Sequence, residues 1–314
     1  MKLIKAFFRL IRWPNLVFIV LTQCLFYYCI ILPGFSASPV VPISPHIFIL
    51  IVAASVCIAA GGYIINDYFD INIDQINKPD KMVVEKLVKR RWAIFFHLVI
   101  TTAGVVCSFF AALQTSLIIF IVNIFCTLLL WFYSTTFKKK LLSGNIIISL
   151  LTAWVILVLY FACNPFFIVN DVDKITSTLM QRIFKPTILY AGFAFIISLI
   201  REVIKDMEDM QGDAKYNCKT MPIVWGVPAT KVFVAVWLIV LVSTLSIVQF
   251  YVLQFGWWAS TLYCFVLIIF PLILILKKLY DATVATDYHR LSTLVKLVMF
   301  TGILSMFFFK YYAL

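Results

Sequence analysis

Apolar residues run through this chain in long, unalternating blocks separated by short polar connections. Each block is about 20 residues long, the length a helix needs to cross a bilayer. They fall at about 15–32, 47–65, 92–112, 116–134, 145–163, 186–204, 229–250, 257–276 and 294–313. Period-two alternation is missing, and backbone groups in lipid must bond within the segment, so the pattern predicts helices rather than barrel strands. The expected architecture is an all-α polytopic membrane protein, one domain over 1–314, with nine transmembrane helices around a central cavity. Of the connections, 34–45 is uncharged and rich in Pro and Ser, and 75–91 is polar and basic. Residues 164–185 read as a longer mixed-charge loop with room for a short surface helix, and 277–293 as another basic connection. The first block exceeds the roughly 7–15 apolar residues of a signal peptide, so it reads as a retained span. Arg12-Trp13-Pro14-Asn15 marks where the chain meets the membrane, with Trp13 as an interfacial anchor.

Composition strengthens this picture. Of 314 residues, 63% are hydrophobic and 13% charged, against roughly 45–50% and 25% in a soluble domain. The net charge of +12 would suggest nucleic acid in a soluble protein. Here the basic residues flank spans and set orientation instead, so no nucleic-acid partner is expected, and nothing points to a protein partner. With the N terminus inside, 20 of the 26 lysines and arginines fall on one face. Only Lys174, Arg182, Lys185 and Lys310 fall on the other, while Lys231 and Lys296 sit at span edges. That asymmetry is the positive-inside rule, and it places the N terminus on the cytoplasmic face of the plasma (inner) membrane. Eight cysteines form no C-x-x-C pair, and three histidines stand far apart, so neither a disulfide framework nor a zinc site is expected.

The chemistry lies at the ends of the second and sixth blocks. Asn66-Asp67-Tyr68-Phe69-Asp70-Ile71-Asn72-Ile73-Asp74 and Asp206-Met207-Glu208-Asp209-Met210-Gln211-Gly212-Asp213 both read D-x-x-D-x-x-x-D. On an unbroken helix those offsets share one face within roughly 60°. Both stretches, and the run Lys138-Lys139-Lys140, lie on the same side of the predicted bilayer. Six carboxylates around one cavity would repel unless cations neutralised them. All-oxygen ligands suit Mg²⁺, which uses one or two carboxylates each and completes its shell with phosphate and water. The expected metal ligands are Asp67, Asp70, Asp74, Asp206, Asp209 and Asp213, with Asp67, Asp70, Asp206 and Asp209 central to catalysis. Arg201, Lys205 and Lys138 are candidates for direct phosphate contact. Glu208 points off the acidic face and reads as solvated. Gly61-Gly62, one turn before the first stretch, allows close helix packing or a bend.

The bilayer setting suggests a lipidic substrate. An allylic diphosphate fits: ionisation gives a carbocation that aromatic faces stabilise and an acceptor captures. A rival reading is a divalent-cation transporter, although its site would sit at mid-depth rather than at a membrane face. The acidic stretches lie 139 residues apart, each after an even-numbered span. This spacing is what two four-helix repeats plus a ninth helix would leave.

At these residues the chain resembles the UbiA superfamily of intramembrane prenyltransferases. That family has nine transmembrane helices, an N-D-x-x-D-x-x-x-D after the second and a D-x-x-D-x-x-x-D after the sixth. The resemblance implies that Asn66, Asp67, Asp70, Asp74, Asp206, Asp209 and Asp213 bind Mg²⁺-diphosphate, with Tyr133, Lys138 and Arg201 beside them by local pattern. The segment from Arg201 to Asp213, with Lys219-Thr220-Met221-Pro222-Ile223 following, looks most like the digeranylgeranylglyceryl phosphate synthase branch. It implies a prenylglyceryl phosphate acceptor and an ether product. That branch tends to carry RP-x-P-x-G after the first motif, where this chain has Lys78-Pro79-Asp80-Lys81-Met82-Val83-Val84-Glu85. Quinone- and haem-pathway members share the motifs and use aromatic or porphyrin acceptors, so those remain alternatives.

Overall fold

A computed structural model describes residues 2–36, 42–77, 79, 82–163 and 174–312. Among them are nine helices long and apolar enough to cross a membrane. The first five are Trp13–Gly34, Pro45–Phe69, Arg90–Ala112, Leu117–Thr135 and Ser143–Ala162. The last four are Leu179–Glu208, Gly226–Leu253, Trp258–Asp281 and Ala285–Tyr312. Each contains its predicted block to within a few residues, except around the sixth and ninth. The sixth lies in a helix that begins at Lys174 and runs through Pro186, so 174–185 is helix rather than loop. A proline in a transmembrane helix is tolerated because neighbours re-satisfy the freed carbonyls. The connection predicted at 277–293 shrinks to 282–284. There Asp287 accepts the Thr283 and Val284 amides at 3.1 and 3.3 Å and caps the ninth span.

Two other prolines show a different solution. Single π-helical turns at Tyr27–Ile31 and Phe265–Ile269 come just before Pro33 and Pro271. Wider turns of this kind occur as isolated bulges inside helices. The basic N-terminal segment forms its own helix, Lys2–Leu10. Ala6 and Leu10 are buried against the second span, in a cluster with Ala60 and Ile64. The chain then turns at Arg12, whose φ of 50° is left-handed. Lipid tails are as apolar as leucine, so spans associate through close packing and polar contacts. Gln23 donates to Ser55 Oγ at 2.9 Å and to Val155 O at 3.0 Å, tying the first, second and fifth spans. Asn123 donates to Ser108 Oγ and accepts from Trp154 Nε1, both at 2.8 Å, tying the third, fourth and fifth. Gly61 packs so tightly on the third span that an added Cβ would lie 2.1 Å from Thr101 Oγ1. The same pair is joined by His97, whose Nδ1–H donates to Gly61 O at 3.0 Å. The first and ninth spans meet through Lys296 Nζ to Asn15 Oδ1 at 3.1 Å and the Phe18–Phe300 ring pair.

Candidate active site

Each acidic stretch begins as the last turn of a span and ends as a separate short helix. The second span stops at Phe69, Asp70 follows at φ −88°, ψ 0°, and a helix Ile71–Asn77 starts. The sixth stops at Glu208, Asp209 follows at φ −93°, ψ 5°, and a helix Met210–Lys215 starts. The middle aspartate of both triplets thus occupies the sparsely populated bridge region, where many active-site residues sit. Bonds to the carbonyl four residues back persist across both joints. Asp70 N–H reaches Asn66 O at 3.0 Å and Asp74 N–H reaches Asp70 O at 2.8 Å. Asp209 N–H reaches Lys205 O at 2.8 Å and Asp213 N–H reaches Asp209 O at 3.2 Å. The expected single helix under each triplet is therefore corrected to two helical segments with the middle acid at the joint.

The two short helices are held together by one side chain. Asn77 Nδ2 donates to Asp209 O at 2.9 Å, and its Oδ1 accepts from Gly212 N–H at 2.8 Å. Gly212 has to lack a side chain here, since an added Cβ would lie 2.5 Å from Asn77 Oδ1. This contact brings the two stretches side by side. Lys138 completes the arrangement from the loop between the fourth and fifth spans. It sits on a 3₁₀ turn, Phe137–Lys139, and ion-pairs with buried Asp70. Lys139 and Lys140 are exposed, so one member of the run enters the site. Burial opposes the Lys138 ammonium, but Asp70, Tyr133 and Asp74 together outweigh it and hold the pKa above the usual lysine range. The turn is fixed by Lys219 N–H, which reaches Lys139 O at 2.8 Å from the loop beyond the second stretch.

The remaining predicted residues fall into place around this core. Asn66 is buried and donates to Asp70 Oδ2 at 2.6 Å, while its Oδ1 has no partner. Tyr133 lies within electrostatic range of Lys138, Glu202, Asp70 and Asp206. Asp206 accepts from Asn145 Nδ2 at 2.8 Å. Asp213 is buried. Asp74 lies in the first short helix, within electrostatic range of Lys138. Arg201 and Lys205 both bond Glu202 Oε1, at 3.1 and 2.9 Å. Glu208, expected in solvent, instead meets His289 Nδ1 at 2.8 Å. Lys78 lies outside the described residues.

Four further residues were not singled out by sequence. Arg12 Nη2 pairs with Asp67 Oδ1 at 2.6 Å and stacks its guanidinium over the Tyr63 ring. Asp67 holds the Arg12 pKa above its ordinary value. Asn145 and Asn77 bond the second stretch, and Lys296 reaches Asn15 near the start of the first span. Arg12 stood among flanking cations and gave no separate signal. Lys296 reads from the sequence as a span-edge lysine, and its place inside the ninth helix is what sets it apart, since a lysine within a span is costly unless it faces a polar interior.

Among the described residues, no three His, Cys, Asp or Glu side chains approach closely enough to hold a metal alone. The six aspartates therefore do not form a closed protein cage. Separated carboxylates still fit Mg²⁺, which draws much of its shell from substrate phosphate and water. Asp67 and Asp70 each carry a basic counter-ion in this arrangement, as acids that need neutralising would.

An all-α membrane bundle with paired acidic joints and a lysine between them defines a class of intramembrane enzyme acting on diphosphates. Residues 27–304 match the model of the UbiA prenyltransferase family, and the chain belongs to that family. It is 28% identical over 297 residues to the digeranylgeranylglyceryl phosphate synthase of Sulfurisphaera tokodaii, covering 95% of this chain and 97% of that one. A solved structure concerning a digeranylgeranylglyceryl phosphate synthase in membranes superposes with a TM-score of 0.61 at 23% identity, over 98% and 99% of the two chains. A UbiA homologue of Archaeoglobus fulgidus bound to GPP and Mg²⁺ gives 0.55 at 14% identity, over 96% and 99%.

Proposed function

We propose that this protein transfers a prenyl group from an allylic isoprenoid diphosphate to a hydroxyl of a lipid glycerophosphate. The observation that carries the reading is the pair of acidic joints, broken at the same aspartate and clasped by Asn77. When bound, Mg²⁺ would neutralise the diphosphate and favour its departure as the C1–O bond breaks. Asp67, Asp70, Asp74, Asp206, Asp209 and Asp213 would hold the metal-diphosphate. Asn66 and Asn145 keep Asp70 and Asp206 oriented. Lys138 supplies positive charge where the leaving group gathers negative charge. The bond electrons leave with the diphosphate, the acceptor oxygen bonds C1, and its proton is lost. The matching breaks at Asp70 and Asp209 support one domain of two four-helix repeats plus a ninth helix. The basic asymmetry supports a site on the cytoplasmic side of the plasma membrane.

The test is to incubate purified protein with Mg²⁺, labelled prenyl diphosphates and a panel of lipid glycerophosphate and aromatic acceptors. Products are then identified by mass. Ether formation on the glycerophosphate is expected, and Asp70→Ala or Asp209→Ala should abolish it while the protein still inserts. Product on an aromatic acceptor alone would reassign the acceptor. Wild-type-like turnover in either variant would overturn the roles given to the aspartates.

A further inference from the structure

Beside the aspartates lies a second group of charges that diphosphate binding does not account for. Arg201 and Lys205 are four residues apart on the sixth span, so they share one stripe of the helix. Glu202 lies on the neighbouring stripe with Asp206 and Asp209. Both cations turn to Glu202, and Arg201 still leaves its Nε–H buried with no acceptor. Arg12 comes from the start of the first span and interacts with both Lys205 and Glu202. Lys296, from the ninth span, lies within electrostatic range of Arg201. Its only described hydrogen bond goes to a neutral group, Asn15 Oδ1. The Tyr63 hydroxyl lies against Asn15 and within range of Arg12, Arg201 and Glu202. Three spans therefore send four cations to one place, and the carboxylates they pair with are Glu202 and Asp67, with Asp70 also within range of Arg12.

With Asp70 matched by Lys138, the balance is an excess of two positive charges in a partly buried cluster. Uncompensated charge is costly away from water, so such a pocket calls for an anion. A phosphate monoester carries about −1.5 to −2 charges at neutral pH and offers three acceptor oxygens. The unpartnered Arg201 Nε–H and the spare Lys296 protons are donors of the kind it needs. The donor diphosphate has its own site between the acidic joints, where Lys138 stands. Tyr133 lies within electrostatic range of both groups, of Glu202 on one side and of Asp70 with Lys138 on the other. An anion at the second group would thus sit next to the reacting carbon without competing for the metal.

We propose that Arg12, Arg201, Lys205 and Lys296 form a second anion site that binds the phosphate of the lipid acceptor. The assignment rests on the reading of the protein as a glycerophosphate prenyltransferase. It also moves Arg201 and Lys205 from the donor diphosphate, expected from sequence, to the acceptor. In a glycerol phosphate the free hydroxyl is within a few bonds of the phosphate. Anchoring that phosphate beside the diphosphate would bring the hydroxyl to C1. Specificity for an anionic acceptor over a neutral aromatic one would follow from the same four side chains.

The experiment uses the full chain in nanodiscs and two independent readouts. In steady-state kinetics, Lys296→Met should raise the KM for the lipid glycerophosphate at least tenfold, while the donor KM moves less than twofold. Lys296→Arg should restore most of the loss. A donor KM that rises instead would return the cluster to the diphosphate, and no change in either would overturn the proposal. The second readout needs no turnover: native mass spectrometry of the protein with a dialkylglycerol phosphate, its dephosphorylated counterpart and inorganic phosphate. Retention of the phosphorylated lipid by wild type and its loss in Lys296→Met are expected. Retention of inorganic phosphate alone would show a free-anion site and defeat the acceptor assignment. If wild type makes no prenylated product yet retains the phosphorylated lipid through Lys296, the functional reading fails and the anion site stands.

Discussion

Asn77 spends both ends of its amide on the backbone of the second acidic stretch, 132 and 135 residues away. Replacing it with alanine would leave the Gly212 amide to find a new partner and the Asp209 carbonyl with the Asp213 N–H alone, at a cost of about 1–3 kcal/mol if the amide stays buried. Because those groups belong to Asp209 and Gly212, the expected loss is in alignment rather than insertion. Asn77→Ala should raise the Mg²⁺ concentration needed for half-maximal diphosphate consumption several-fold, read by titration at fixed donor. Asn77→Asp should fare worse, since it puts a carboxylate against the Asp209 carbonyl. At this scale the sequence revealed residue types better than residue partners. Spacing alone drew attention to Asp67, Asp70, Asp206 and Asp209, because few other patterns place acids so regularly at span ends. It could not reveal that Lys138, rather than Lys139 or Lys140, turns inward, because a 3₁₀ turn decides that. Arg12 looked like any flanking cation, and only its left-handed backbone and its bond to Asp67 distinguish it.

Helices were legible wherever an apolar block ended in charge, and less so where polarity continued inside a span. Lys296 was assigned to an edge because the block was taken to start at 294. The ninth helix starts at Ala285, which places this lysine well inside it. The sixth apolar block likewise begins near 186, whereas its helix begins at Lys174 and runs through Pro186. The paired glycines were informative in the opposite way, and the structure selects packing as the role of Gly61. Gly61→Ala would drive Cβ into Thr101 Oγ1 and should cost about 1–3 kcal/mol through overpacking. The check is the thermal midpoint of purified protein in detergent, which should fall by several degrees. Gly61→Ala combined with Thr101→Ala should recover most of it, since the hydroxyl is the nearest obstacle.

For the whole molecule, orientation is the property composition speaks to most directly and the bundle least, since a helical ring has no intrinsic inside. In a cysteine-free background, Gln254→Cys lies just beyond the seventh span and Asp281→Cys at the last residue of the eighth. Position 254 should label with an impermeant maleimide in intact cells, and position 281 only after permeabilisation. The reverse pattern would put the acidic joints on the outer face and overturn the cytoplasmic assignment. The spacing of 139 residues is compatible with a repeat, but it does not reveal that both stretches interrupt their helix at the same acid. That kink follows from local backbone angles, which spacing does not encode.

The meeting of the first and ninth spans at Asn15 and Lys296 has a topological consequence. Among the described residues the helices form a closed circuit, yet nine crossings leave Lys2 and Tyr312 on opposite sides of the bilayer. A short peptide cannot join them, so a circularly permuted version would require a tenth crossing. This last joint is therefore noncovalent, held by the lysine–amide hydrogen bond, the Phe18–Phe300 ring pair and apolar packing around Met306.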